Sequence, residues 1–121
     1  YAGVGRWRNA QRLLEKVKDV SEHLGDHSRW SDAVGNLAMV HYFQGRFNLS
    51  TSLFDDLLDS ASQRNDAHNQ AWALRGQVYC LLVQAKFDEV LARLETLQTL
   101  LAENSQIVDE ALNIDLHGLL A

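Results

Sequence analysis

Three short fragments, Gly5-Arg6-Trp7, Gly45-Arg46-Phe47 and Ala85-Lys86-Phe87, repeat the order small residue, cation, aromatic at intervals of 40 residues. A fixed period of this length constrains the fold more than any single residue. It is the pattern of stacked helix pairs, in which no repeat buries its own apolar face and each is covered by its neighbours. The expected fold is all-α, a solenoid of antiparallel helix pairs with about six helices.

The period extends beyond the turns. Counting from each turn aromatic, Ala10, Leu14 and Val17 align with Ser50, Phe54 and Leu57, and then with Val90, Leu94 and Leu97, all at helical spacing. Before the turns, Ala33, Val34, Leu37, Val40 and His41 correspond to Ala73, Leu74, Gln77, Cys80 and Leu81, and residues 111–121 repeat the opening of 71–81. Two kinds of helix therefore alternate, a leading helix before each turn and a following helix after it. Gly25-Asp26-His27-Ser28 and Asn65-Asp66-Ala67 also stand 40 apart, each pairing a residue that ends a helix with an Asp that caps the next.

Helices are expected at roughly 6–24, 28–44, 47–64, 67–84, 87–103 and 106–120. Turns of about two residues within pairs should alternate with longer connections between them. Asp88 and Glu89 fit a helix start near Phe87, where the positive end of the dipole favours carboxylates. Gly3-Val4-Gly5 reads as turn chemistry, since it lacks the strand and third glycine of a phosphate-binding loop.

Proline is absent, so nothing interrupts the helices, and with 46% hydrophobic and 22% charged residues among 121 the chain has enough apolar material for one core. No run approaches the roughly 18 apolar residues of a membrane span, and Tyr1 to Ala10 lacks the apolar stretch of a signal peptide. The lone Cys80 cannot form an internal disulfide and fits a reducing, cytoplasmic setting.

The chain resembles the tetratricopeptide repeat family in its longer variant of about 40 residues. Leu37-Ala38 matches the close-packing pair, Gly45 and Phe47 the turn, and Ser50 with Phe54 the small residue and aromatic of the second helix. Val34 stands where the family prefers Trp, His41 where it prefers Tyr, and no Pro closes a repeat. Trp72, Gly76 and Tyr79 also fit the opening pattern, in a register two residues from the one set by Phe87, in which Leu74, Val78 and Leu81 take those roles. The Phe87 register is preferred because it aligns the following helix as well.

The resemblance implies a right-handed superhelix and a single repeat domain over 1–121, with units of about 1–25, 26–65, 66–105 and 106–121. Tyr1 aligns with His41, in the last turn of a leading helix, so the chain is expected to be a segment of a larger protein. Similar long-period repeats occur in large bacterial signalling proteins, beside a nucleotide-hydrolysing switch, cyclase or DNA-binding domain.

No catalytic constellation emerges, and no cofactor or metal is expected. His23 and His27 have metal-ligand spacing, but Gly25-Asp26 should end the helix between them. His41, His68 and His117 are scattered in the repeat. Cys80, late in a helix beside Tyr79 and Leu81, reads as a small buried hydrophobe rather than a nucleophile. Asn48-Leu49-Ser50 matches a glycosylation sequon only formally.

Binding is the expected activity. In the family, leading helices line a concave surface. By resemblance that surface comprises Asp32, Asn36, Met39, Tyr42 and Phe43, then Trp72, Arg75, Gly76 and Tyr79, then Leu112, Asp115 and Leu119. Tyr, Trp and Arg are the residue types that dominate binding hot spots. Only Asn36 and Arg75 are available to grip a C-terminal carboxylate, so a chaperone-tail clamp is not expected.

The net charge of −5 argues against nucleic acid. It is unevenly spread: Arg6, Arg8, Arg12, Lys16 and Lys18 make the first helix cationic, whereas Asp88, Glu89, Glu95, Glu103, Asp109, Glu110 and Asp115 make the last third acidic. The leading functional reading is a docking module that holds a protein or peptide segment, including another domain of its own parent chain. The alternative is an architectural role, in which repeat ends stack on copies of the chain.

Overall fold

The computed structural model describes the backbone of residues 2–104 and the side chains of residues 6–104. All regular structure among them is α-helical: α1 (Ala2–Leu24), α2 (His27–Phe43), α3 (Phe47–Gln63), α4 (Ala67–Val83) and α5 (Phe87–Glu103). The sixth helix expected at 106–120 falls outside the described residues.

Helices α2 to α5 are each 17 residues long and begin 20 residues apart. One device sets this rhythm. Gly25, Gly45, Asn65 and Ala85 all have positive φ, at 70°, 78°, 53° and 57°. After each, the next N–H reaches back five residues to a carbonyl: Asp26 to Ser21 at 2.9 Å, Arg46 to His41 at 2.8 Å, Asp66 to Ala61 at 2.8 Å and Lys86 to Leu81 at 3.0 Å. Four helices thus end in the same left-handed cap, which satisfies carbonyls that the helix leaves unpaired.

Two expectations are corrected here. The connections do not alternate in length; Gln44 to Arg46, Arg64 to Asp66 and Gln84 to Lys86 each form one cap and exit, because the cap geometry alone fixes their length. The first turn is also absent, since α1 runs through Gly3 and Gly5. Glycine costs a helix interior only about 1 kcal/mol, and a long following stretch propagates through it.

The helix starts differ in chemistry. Asp26 accepts from the Arg29 N–H at 3.1 Å, and Asp66 from the Asn69 N–H at 3.2 Å and from Asn69 Nδ2 at 2.6 Å. Burial alone raises the Asp66 pKa, but these bonds, with Arg64 and His68 nearby, outweigh it and hold the carboxyl below its usual value. Lys86 provides no side-chain cap, and α5 instead opens with Asp88 and Glu89.

Ala85 is the costly member of the cap series, because a Cβ in the left-handed region is opposed by about 1–2 kcal/mol. Ala85→Gly should stabilise the chain by about 1 kcal/mol after the entropy of the unfolded glycine is counted. Gly45→Ala should cost a similar amount; an added Cβ there meets nothing within 4 Å, so backbone strain acts alone. Urea unfolding of the two variants checks both signs.

The chain divides into two compact units, Tyr1–Leu57 and Leu58–Ala121, with α3 contributing to both. In the first, α1 packs on α2, and Val34, Leu37, Ala38, Val40, Phe54 and Leu57 are buried. In the second, α4 packs on α5 around two apolar clusters. Ala71, Leu74, Leu97 and Leu101 form one with Leu58 and Leu100, and Val78, Leu81, Val90 and Leu94 form the other with Leu82.

Burial follows the 40-residue register. Ala33 and Ala73, Val34 and Leu74, Leu37 and Gln77, Ala38 and Val78, Val40 and Cys80, and His41 and Leu81 are buried in pairs, as are Phe54 with Leu94 and Leu57 with Leu97. Trp72 and Tyr79, which suggest the shifted register, are only half buried.

Candidate protein-docking groove

An open apolar groove of about 400 Å³ lies in the first unit where α1 and α2 meet. Trp7, Ala10, Leu13 and Leu14 form one wall and Asn36, Met39, Val40 and Phe43 the other. The Trp7 and Phe43 rings stack across one end with centroids 5.8 Å apart and planes at 28°. Aromatic and thioether surface with a single amide suits apolar side chains of a partner, not charged or reacting groups.

The expected binding residues divide among different surroundings. Asn36, Met39 and Phe43 line the groove. Asp32 is exposed beside it in sequence, its carbonyl accepting from Asn36 Nδ2 at 2.8 Å. Tyr42 turns elsewhere, packed edge-on against Phe43 at 5.5 Å and Phe47 at 5.6 Å, which ties the end of α2 to the start of α3. In the second unit Trp72, Arg75 and Tyr79 are half buried at helical spacing on α4, and Gly76 is buried. Leu112, Asp115 and Leu119 lie outside the described residues.

Sequence reasoning identified Trp7 as a turn aromatic and missed it as a groove residue, because the turn it was assigned to does not form. The available signal was the helical spacing of Trp7, Ala10, Leu14 and Val17, which puts the aromatic on the apolar face of α1 once the helix runs through the glycines.

A second, more polar recess of about 270 Å³ is bounded by Glu15, Lys18, Asp19, Leu37, His41, Leu49, Ser52 and Leu53. Burial lowers the His41 pKa, the charge of Arg46 lowers it further, and Glu15 opposes them. Elsewhere His23 lies in the last turn of α1 and His27 begins α2, on opposite sides of the Gly25 cap, and Cys80 is a buried free thiol. Among the described residues no three His, Cys, Asp or Glu side chains gather as metal ligands do, and no helix is long and apolar enough to cross a membrane.

These features define the class: an all-α protein of helical-repeat type, with an open apolar groove on its first helix pair. Compared with protein-family models, curated proteins and solved structures, the chain finds no match.

Proposed function

We propose that the chain is a non-catalytic protein–protein interaction module of tetratricopeptide type, a right-handed solenoid segment of a larger cytoplasmic signalling or regulatory protein. The α1/α2 groove carries this reading. Its walls hold Trp7, Met39 and Phe43, side chains with large contact area, beside the Asn36 amide. The half-buried face of Trp72, Arg75 and Tyr79 on α4 offers further contact chemistry of the kind found at interface centres. The partner is a protein or peptide segment; nucleic acid does not suit the negative net charge.

Peptides selected from a displayed random library against the immobilised chain test this reading. Met39→Ala or Arg75→Ala is expected to weaken their binding by roughly tenfold with helicity unchanged. Failure to select any saturable binder, or binders indifferent to both substitutions, would overturn it. Tyr42→Ala is a poor probe of binding, because Tyr42 packs against Phe43 and Phe47.

A further inference from the structure

His41 occupies a position that the repeat elsewhere fills with a leucine. Forty residues on, Leu81 is 7% exposed and packs with Val78, Val90 and Leu94 in the second unit. In the first unit His41 is buried to the same degree, 6% exposed. An aliphatic side chain thus satisfies the packing at this place in the repeat. The imidazole adds two polar nitrogens that the packing does not need.

The surroundings provide poorly for a positive charge on that ring. Nδ1 is shielded from solvent and has no hydrogen-bond partner among the described residues. A protonated imidazole donates from both nitrogens, so charging the ring buries a cationic N–H without an acceptor. The recess beside it is lined by Glu15, Lys18 and Asp19 of α1, by Leu37 of α2 and by Leu49, Ser52 and Leu53 of α3. Helix α3 therefore brings no charge to it, and the two carboxylates of α1 are exposed, where water screens them. In the turn after α2, the Arg46 N–H bonds to the His41 carbonyl at 2.8 Å, and its guanidinium donates to Gln11 Oε1 of α1 at 3.4 Å.

Burial, and then the Arg46 charge, lower the His41 pKa below the ordinary 6.5, with Glu15 opposing them. Protons therefore bind the unfolded chain more readily than the folded one. The folded state keeps its full advantage above 6.5 and loses it as the pH falls from there toward the lower folded-state value.

We propose that His41, with Arg46 beside it, is a proton-sensitive latch of the first unit: charging the ring releases the packing of α1 on α2. The second unit, with Leu81 at the same place, has no such latch. Because α1 and α2 are also the walls of the apolar groove, the latch makes that groove pH-dependent whatever it binds. It goes beyond the docking reading and does not depend on it.

NMR of the full chain with isotope-labelled histidine, from about pH 8 to about pH 5, follows the ring through the range in which an ordinary His titrates. The His41 resonance is expected to titrate below 6.5. Arg46→Gln, at an exposed position, should move that titration upward with helicity kept. Urea unfolding of the unaltered chain and of His41→Leu over the same range reads the linkage. The folded-to-unfolded ratio of the unaltered chain is expected to fall several-fold further than that of the variant, the remaining histidines being common to both. Amide hydrogen exchange should show protection lost in α1 and α2 at the acid end and kept in α4 and α5.

A His41 ring that titrates at or above 6.5 overturns the proposal. So does a parallel loss of stability in the two chains, or an equal loss of protection in both units. If His41→Leu does not fold, the titrations of the unaltered chain and of Arg46→Gln, with the exchange pattern, still decide.

Discussion

Phe54→Ala lowers the unfolding free energy by about 3–5 kcal/mol, the largest loss expected from any single truncation in the first unit. Phe54 is fully buried, on the α3 face where the Ser50 hydroxyl bonds to the Ala38 carbonyl of α2. The phenyl ring is wholly shielded from solvent. Truncation removes the ring's transfer free energy and leaves a cavity that its surroundings relax only partly to fill. Domains of this size are typically stable by only about 5–15 kcal/mol, so Phe54→Leu should accompany it as a milder change that preserves folding. Urea unfolding followed by circular dichroism gives both values. A loss below about 1 kcal/mol for the alanine variant would contradict the packing described.

Leu97→Ala should cost about 2–5 kcal/mol in the second unit. Leu97 is 2% exposed and shares a cluster with Ala71, Leu74 and Leu101, whereas Leu91, six residues earlier on the same helix, is 60% exposed. Leu91→Ala should therefore change stability by no more than about 0.5 kcal/mol. The pair discriminates sharply because the residue type is the same and only the helix face differs. It also tests the repeat, since Leu97 is the 40-residue counterpart of the fully buried Leu57. Equal effects at both positions would mean that α5 is rotated about its axis relative to the face assigned.

Much of this architecture was legible in the chain itself. The 40-residue period placed every buried pair from Ala33 and Ala73 to Leu57 and Leu97, because helix-to-helix packing repeats only if the side chains at each contact repeat. Asp26 and Asp66 marked helix starts, since a carboxylate at that position satisfies N–H groups that the helix leaves unpaired. Within Gly5-Arg6-Trp7, the glycine suggested a cap that α1 does not form. The local signal is permissive: glycine allows a left-handed turn without requiring one, and the surrounding helix decides.

The uniform connections show the same limit from the other side. Asn65 and Ala85 adopt the left-handed cap although neither has the conformational freedom of Gly25 and Gly45, and local preference alone would not place Ala85 there. Packing of α4 against α5 over many residues compensates that strain, a term that local sequence does not contain. Similarly, Tyr42 and Met39 are both intermediate in burial, yet one ties α2 to α3 and the other lines the groove. Residues three apart point only about 60° from one another, so what separates the two is which neighbour each side chain meets, and local sequence does not carry that.

The sequence by itself determined helices α2 to α5, their register and most of the residues they bury, because periodic burial must be written as periodic side chains. Only the tertiary structure decided where that burial is left incomplete. The open groove at Trp7, Met39 and Phe43 and the uncovered Leu13, Val20 and Leu24 follow from which neighbours a helix has, and apolar residues at helical spacing look the same in sequence whether or not a neighbour covers them.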